Sequence, residues 1–294
     1  MTKRKIFRVK LPSRTLTLGE RTLVMGVLNV TPDSFSDGAK FLNTADSAAH
    51  ALAMEAAGAD ILDIGGESTR PGSSGISAKE ELARVLPVLE VLRGRLTIPI
   101  SIDTQKAEVA EAAIAAGVEM INDISGLRSD SRISGVAAKH RVPLILMLMR
   151  GEPRTMQKGP FARDVVRDVM QGLRTLAGLA RKHGVAKSQI IVDPGIGFGK
   201  SFSQNYELLQ KLPQLARLGY PLLVGTSRKG FLGARLARDG KPAPPDERIW
   251  GSAATVTACV LGGAHIVRVH DVAEMAQVVR VADCLLNPRL VPSN

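Results

Sequence analysis

Eight times along its 294 residues this chain runs through a short stretch rich in Val, Ile and Leu, stops at or beside a polar residue or glycine, and continues into a helix-forming segment. The runs are Leu23 to Asn29, Ile61 to Asp63, Ile100 to Asp103, Met120 to Asp123, Pro143 to Met149, Ile190 to Asp193, Leu222 to Thr226 and Ile266 to His270. Strands covered on both faces read as near-continuous apolar runs because neither face meets water, and parallel neighbours are joined through crossover helices. Eight such units predict an α/β fold, a closed (β/α)₈ TIM barrel, in which the working residues sit at the C-terminal ends of the strands. The fifth run is the odd member, ending in Leu148 and Met149 rather than in a polar group.

The segments between the runs carry helix signals. Thr44 precedes the Ala-rich stretch 45–57, which Gly58 stops; Ser77 with Glu80 forms a capping-box pattern opening a helix over 78–92. Helices are also expected over 106–116 and 163–183, over 229–238, after a polar loop at 239–246 in a second helix through Leu261, and over 271–286. No Pro/Ser/Gly-rich linker divides the chain, so residues 1–294 are read as one domain, a size ordinary for such a barrel. Residues 1–22 fit a short N-terminal β-hairpin, its basic first strand pairing with Thr15 to Leu18 to plug the barrel bottom. The basic opening lacks the apolar core of a secretory signal, and no apolar run approaches the roughly 20 residues of a membrane span.

Two cysteines, Cys259 and Cys284, lie in helix-like stretches without metal spacing, which fits a reducing cytoplasm. The formal charge of +11 favours an anionic partner. Aromatic residues make up only 3% and the basic residues are dispersed, so a phosphorylated small substrate is the expected anion rather than nucleic acid.

Chemistry concentrates where the strands end. Asn29 to Gly38 is a long loop dense in oxygen donors, and Gly65 to Gly75 sets glycines around Arg70. Asp193 to Ser201 invites a nucleotide-loop reading, but Pro194 occupies the first glycine position of a Walker motif and Lys200 the last slot of G-x-G-x-x-G. What remains is a carboxylate followed by a tight glycine turn. Gly225 to Gly230 opens a helix whose N-terminus favours an anion, with Lys229 available to a substrate. Arg268 and His270 are two apart, so both project to one side of the last strand. Asp103, Asn122 and Asp193 could together accept from and donate to a flat, nitrogen-rich heterocycle; capping of the following helices is the plainer alternative for each.

These motifs, from Leu23 to Leu286, resemble the dihydropteroate synthase family: Asn29-Val-Thr-Pro-Asp-Ser-Phe-Ser-Asp-Gly38, Asp63-Ile-Gly-Gly-Glu-Ser-Thr-Arg-Pro-Gly72, Ser101-Ile-Asp-Thr104, Ile121-Asn-Asp-Ile-Ser-Gly126, Asp193-Pro-Gly-Ile-Gly-Phe-Gly-Lys200, Ser227-Arg-Lys229 and Arg268-Val-His-Asp271. The resemblance implies a homodimeric barrel that joins para-aminobenzoate to 6-hydroxymethyl-7,8-dihydropterin diphosphate and releases pyrophosphate. It further implies that Asp103, Asn122, Asp193 and Lys229 bind the pterin, and that Asn29 coordinates Mg²⁺ with the diphosphate. Arg268 and His270 would meet the diphosphate oxygens, with Thr69 among the substrate contacts. Phe35, Ser68, Thr69, Arg70 and Pro71 would belong to loops that close over the reaction and help form the aminobenzoate pocket, with Ser227 near its carboxylate. Asp103, Lys229, Arg268 and His270 are the expected catalytic set, and the reaction is expected to be an SN1-like substitution. One departure stands out: the family commonly has His where this chain has Leu148, which would remove a polar group from one strand end. A pterin-dependent methyltransferase and a non-catalytic pterin-binding paralogue are the rival readings.

Overall fold

The computed structural model describes residues 4–31, 40–68, 75–151, 156 and 158–291. Phe35, Thr69, Arg70 and Pro71 lie outside the described residues. Two short antiparallel strands, β1 (Phe7–Lys10) and β2 (Thr15–Leu18), precede eight parallel ones: β3 (Leu23–Asn29), β4 (Ile61–Gly65), β5 (Ile100–Asp103), β6 (Met120–Asp123), β7 (Leu144–Met147), β8 (Ile190–Asp193), β9 (Leu223–Val224) and β10 (Ile266–Val269). The spatial order is β8-β7-β6-β5-β4-β3-β10-β9. A parallel bridge between Val192 and Leu222, with the Val192 N–H donating to the Pro221 carbonyl at 3.0 Å, joins the two ends and closes the ring. The eight-unit expectation is met, and the hairpin is present.

Helices cover the outside: α1 (Lys40–Ala56), α2 (Ala78–Leu92), α3 (Ala107–Ala115), α4 (Arg132–His140), α5 (Val165–Lys182), α6 (Phe202–Gln210), α7 (Leu212–Leu215), α8 (Gly230–Arg235), α9 (Ile249–Leu261) and α10 (Val272–Leu286). Thr44 lies inside α1 rather than capping it, because the helix takes on a further turn before it. Ser77 does cap α2, accepting the Glu80 N–H at 3.2 Å, but the Glu80 carboxylate turns to Arg84, so only half of the capping box forms. The reciprocal box occurs at α6, between Ser201 and Gln204. No described helix is long and apolar enough to cross a membrane.

Two apolar layers result from the strands' period of two. Outward residues such as Leu62, Ile64, Ile102, Ile121 and Val267 pack under the helices. Inward residues Met25, Ile61, Met120, Ile145, Ile191, Leu223 and Ile266 fill the lower barrel together with Val9, Leu11 and Leu18 of the hairpin. The hairpin is therefore part of the core: burying each of those three side chains contributes on the order of 1.5–3 kcal/mol. His265 fastens it further. Its Nδ1 accepts the Leu222 N–H at 3.1 Å, its Nε2 meets the Lys5 carbonyl at 3.0 Å, and its ring lies edge-on to Phe7.

Candidate active site

Above the apolar floor the same alternation turns polar. Ile61 is followed two residues on by Asp63, Met120 by Asn122, Ile191 by Asp193 and Ile266 by Arg268, so four of the strands that supply a floor residue supply a polar group one layer nearer the mouth. Strand register lines up Asn29 with Gly65, Gly65 with Asp103, and Asp103 with Asn122. A side chain at Gly65 would touch the Asp103 Cβ at 3.4 Å, so that glycine keeps the approach to Asp103 open.

Arg268 is the hub. Its Nε donates to Asp63 Oδ2 at 2.6 Å and its Nη2 to Asp103 Oδ2 at 2.7 Å, while Asn122 Nδ2 donates to the same Asp63 oxygen at 2.9 Å. Asp63 is fully buried. It orients two of the expected site residues, and it is absent from the site drawn from sequence, where it appears only as the polar end of a run. The signal that could have found it is that position itself, shared with Asp103 and Asp193.

Burial dominates the electrostatics. It pushes the Asp103 carboxyl up to about 7 against the opposing pull of Arg268, with Asp63, Glu81 and Asp123 adding to the rise. Asp193 is raised to about 6 for the same first reason, although the Gly195 N–H (2.7 Å to Oδ1) and the nearby Lys229 favour its anion. Lys229 is lowered to about 8 by burial and by Arg268, with Asp193 and Asp103 pulling back. His270 is depressed to about 3, by burial and then by the positive charges of Arg268, Arg228 and Lys229. Two carboxyls and an ammonium thus titrate close to neutrality, as acid, base and charge-stabilising groups of active sites do. His270 is neutral there and can only share hydrogen bonds. Its backbone N–H and its Nδ1 lie 3.2 and 3.1 Å from Ser227 Oγ.

An apolar wall, unread from sequence, stands beside these groups: Ile124, Met147, Met149 and Met156 are buried together with Phe198 against them. The Lys229 ammonium sits 3.9 Å from the Phe198 ring centroid, a cation–π contact that accommodates a partly desolvated charge. Lys200 sets this wall. Buried to 3% exposure, its ammonium donates to the carbonyls of Leu148 (3.2 Å), Gly195 (2.8 Å) and Phe198 (2.9 Å), tying the glycine turn to the end of β7. Gly195 and Gly199 have φ of 67° and 65°, and at either a Cβ would collide with the carbonyl of Leu148 or Arg150; only glycine fits both demands.

The expectation that Leu148 costs the mouth a polar group is corrected by its direction. Alternation turns Met147 inward and Leu148 outward, where it packs on α5; a Cβ at Gly172 would lie 2.6 Å from Leu148 Cδ1. Of the other expected site residues, Asn29 ends β3 next to β4, and Ser68 is half-buried in the loop after β4. Asp271 pairs with Arg228, not with His270. A surface groove of about 560 Å³ runs between α5 and α6, lined by Asp164, Arg167, Arg174, Glu207 and Lys211. It gathers no strand-end group, so convergent chemistry rather than volume marks the mouth as the site.

Comparison with known proteins agrees with this geometry. Residues 25–270 match the pterin binding enzyme family. The chain is 53% identical over 268 residues to the dihydropteroate synthase of Synechocystis sp., covering 91% of each. It superposes on the Xanthomonas albilineans dihydropteroate synthase with 4-aminobenzoic acid at a TM-score of 0.88 (42% identity, 98% of this chain, 100% of that one), and on the same enzyme with 7,8-dihydropteroate at 0.85 (40%, 97% and 100%). The Yersinia pestis dihydropteroate synthase in complex with a sulfonamide drug scores 0.88 (40%, 96% and 100%). With a buried Asp103–Arg268–Asp63 hub inside a matched barrel, the chain belongs to the pterin-binding enzymes and, among them, to the dihydropteroate synthases.

Proposed function

We propose that this chain condenses 6-hydroxymethyl-7,8-dihydropterin diphosphate with para-aminobenzoate, giving 7,8-dihydropteroate and pyrophosphate in folate biosynthesis, and that it is a sulfonamide target. The observation that carries the reading is the convergence of Asp103, Asn122, Asp193 and Lys229 at one barrel mouth beside Arg268. Asp103 and Asp193 present carboxylates to the amino-pyrimidine edge, a pairing with the geometry of Arg–carboxylate recognition. Asn122 gives one of its two amide N–H groups to Asp63 and presents its carbonyl oxygen to the ring, and the wall of Met147, Met149 and Phe198 covers the ring's face.

As the C–O bond to the diphosphate breaks, positive charge develops on the pterin methylene and negative charge on the leaving oxygens. Asp103 in its anionic form supports the first; Arg268 faces the second. The aniline nitrogen then attacks in an SN1-like sequence, with Ser227 near the aminobenzoate carboxylate. Thr69 and the loop residues Phe35, Ser68, Arg70 and Pro71 belong to this reading as groups that close over the substrates and exclude water. His270, held neutral, contributes a hydrogen bond rather than a counter-charge.

Mg²⁺ fits the donor set: it binds oxygen, and it is commonly held by one or two protein ligands together with substrate phosphates. Asn29, the amide that ends β3, would hold it with the diphosphate. When bound it would neutralise charge on the leaving group. A cytoplasmic homodimer completes the proposal; Trp250, Val281 and Leu285, 80%, 66% and 58% exposed, give α9 and α10 an apolar outer face that pairing would cover.

The test measures pyrophosphate release and pteroate formation with aminobenzoate and Mg²⁺ each present or omitted. Product that depends on aminobenzoate supports the assignment. Pyrophosphate release indifferent to aminobenzoate, or a pterin bound covalently to the protein, overturns it.

A further inference from the structure

The turn that carries Ser227 and Lys229 is built around a residue to which the reaction sequence above gives no part, Arg228. Arg228 has a φ of 59°. For a residue with a Cβ that left-handed conformation costs roughly 1–2 kcal/mol, which glycine would avoid. The surroundings hold it there from three directions. Its N–H donates to Ser252 Oγ of α9 at 3.0 Å, its carbonyl accepts from Arg248 Nη1 at 2.8 Å, and its guanidinium forms a two-pronged pair with Asp271, Nε to Oδ2 at 3.1 Å and Nη2 to Oδ1.

Asp271 makes the arrangement more telling. It occupies the N-cap position of α10, where a carboxylate ordinarily accepts a backbone N–H of the first turn. Here its side chain makes no capping bond and goes to Arg228 instead. Asp271 also follows His270 directly, and His270 touches Ser227. The chain after β9 and the chain after β10 are therefore stitched twice, once at Ser227–His270 and once at Arg228–Asp271.

We propose that the Arg228–Asp271 pair is a positioning device, which locks the turn after β9 onto the end of β10 and so fixes where Ser227 meets the aminobenzoate carboxylate. The proposal rests on the functional reading above. Both residues act through the turn, as positioning groups. The benefit of arginine over glycine at a left-handed position is the tether, which a fork of donors supplies and a point charge does not.

Arg228→Gly keeps the backbone conformation and removes only the tether; Arg228→Asn, whose side chain tolerates the same conformation, is the second variant. Both are expected to melt within a few degrees of the parent while the KM for aminobenzoate rises about tenfold and kcat falls less than threefold. The KM for the pterin diphosphate should change less than threefold, because Asp103, Asn122, Asp193 and Arg268 stand on other elements and Lys229, the one pterin group on this turn, is held separately by its ammonium over the Phe198 ring. Arg228→Lys should recover part of the loss. Arg228→Gly combined with Asp271→Asn should be no worse than either alone. An aminobenzoate KM within twofold of the parent, equal losses for both substrates, or additive effects in the double variant would overturn the proposal. A parent protein that forms no dihydropteroate would instead overturn the functional reading itself.

Discussion

Replacing Asp63 by asparagine tests the hub with the smallest change of shape. In the parent, one oxygen of Asp63 receives both Arg268 Nε and Asn122 Nδ2. The amide that Asp63→Asn introduces could keep its oxygen there, so both bonds would persist without the acceptor's charge. Charge-assisted bonds are about twice as strong as neutral ones, worth about 1.5–3 against about 1 kcal/mol. A loss of about 1–2 kcal/mol in holding Arg268 follows, which predicts diphosphate-substrate affinity about 5- to 30-fold weaker. A second effect runs the other way. The Asp63 carboxylate is one of the causes raising Asp103 to about 7; with it gone, Asp103 keeps its anion to lower pH. If anionic Asp103 is the active form, kcat/KM rises with pH through the Asp103 titration, and the acid limb moves to lower pH in Asp63→Asn, by about one unit. The assay pairs titration calorimetry of the pterin diphosphate with a kcat/KM profile from about pH 5 to 9, a span chosen to bracket the titration, with parent and variant on the same substrate so that substrate ionisation cancels. An acid limb that moves up or stays in place, with affinity unchanged, would refute the assignment of Asp63 as the group orienting Arg268.

Burial depresses His265 from 6.5 to about 4. The neutral imidazole therefore contributes stability in full above pH 6.5, which is lost as pH falls through 4, roughly 3 kcal/mol in total. His265→Gln should flatten this part of the stability profile in urea titrations, and parallel profiles would count against the hairpin fastening. Leu148→His should leave kcat/KM within about threefold of the parent, since the side chain faces α5. Gly172→Ala should cost about 1–3 kcal/mol of stability by overpacking against Leu148, measured by denaturant midpoint; a large loss of kcat/KM in Leu148→His would show that the position faces the site after all. Chelation of Mg²⁺ should weaken binding of the pterin diphosphate in calorimetry at least tenfold while leaving a phosphate-free pterin within twofold, and equal effects would remove Asn29 from the diphosphate site.

The barrel was legible because its cause is periodic. Seven polar strand ends separated by helix-forming segments leave few alternatives, and the strands fall where those runs lie. The ends of elements were less legible: Thr44 looks like a cap, yet nothing local says whether one more turn precedes it. Asp63 was visible as a strand end but not as a partner, because Arg268 lies 205 residues away and a contact of that separation leaves no trace in local pattern. Leu148 is different, since the information was present. Ile145 faces the floor, so Met147 and Met149 share its side and Leu148 does not; counting parity, rather than noting the missing histidine, gives the observed direction. In the sequence Lys200 breaks a nucleotide motif and closes the one that starts at Asp193. Its role as donor to three carbonyls depends on the path of β7, which the glycine spacing alone does not encode.

The charge balance at the mouth supplies a physical reason for expecting a divalent cation. Arg268, Lys229 and Lys200 face three carboxylates, Asp63, Asp103 and Asp193, and His270 adds no charge, so the mouth carries no excess of cations. Arg268 already donates to two of them, through one N–H each of its Nε and Nη2. A diphosphate brought to this rim meets a guanidinium whose charge is largely offset from below. Two routes could offset the added negative charge: protonation of Asp103 and Asp193, both already raised toward neutrality, or a cation carried in with the diphosphate. The first would abolish the anion that supports the developing methylene cation. The second leaves it intact, which is why Mg²⁺ held by Asn29 and the substrate is proposed rather than a site neutralised by protons.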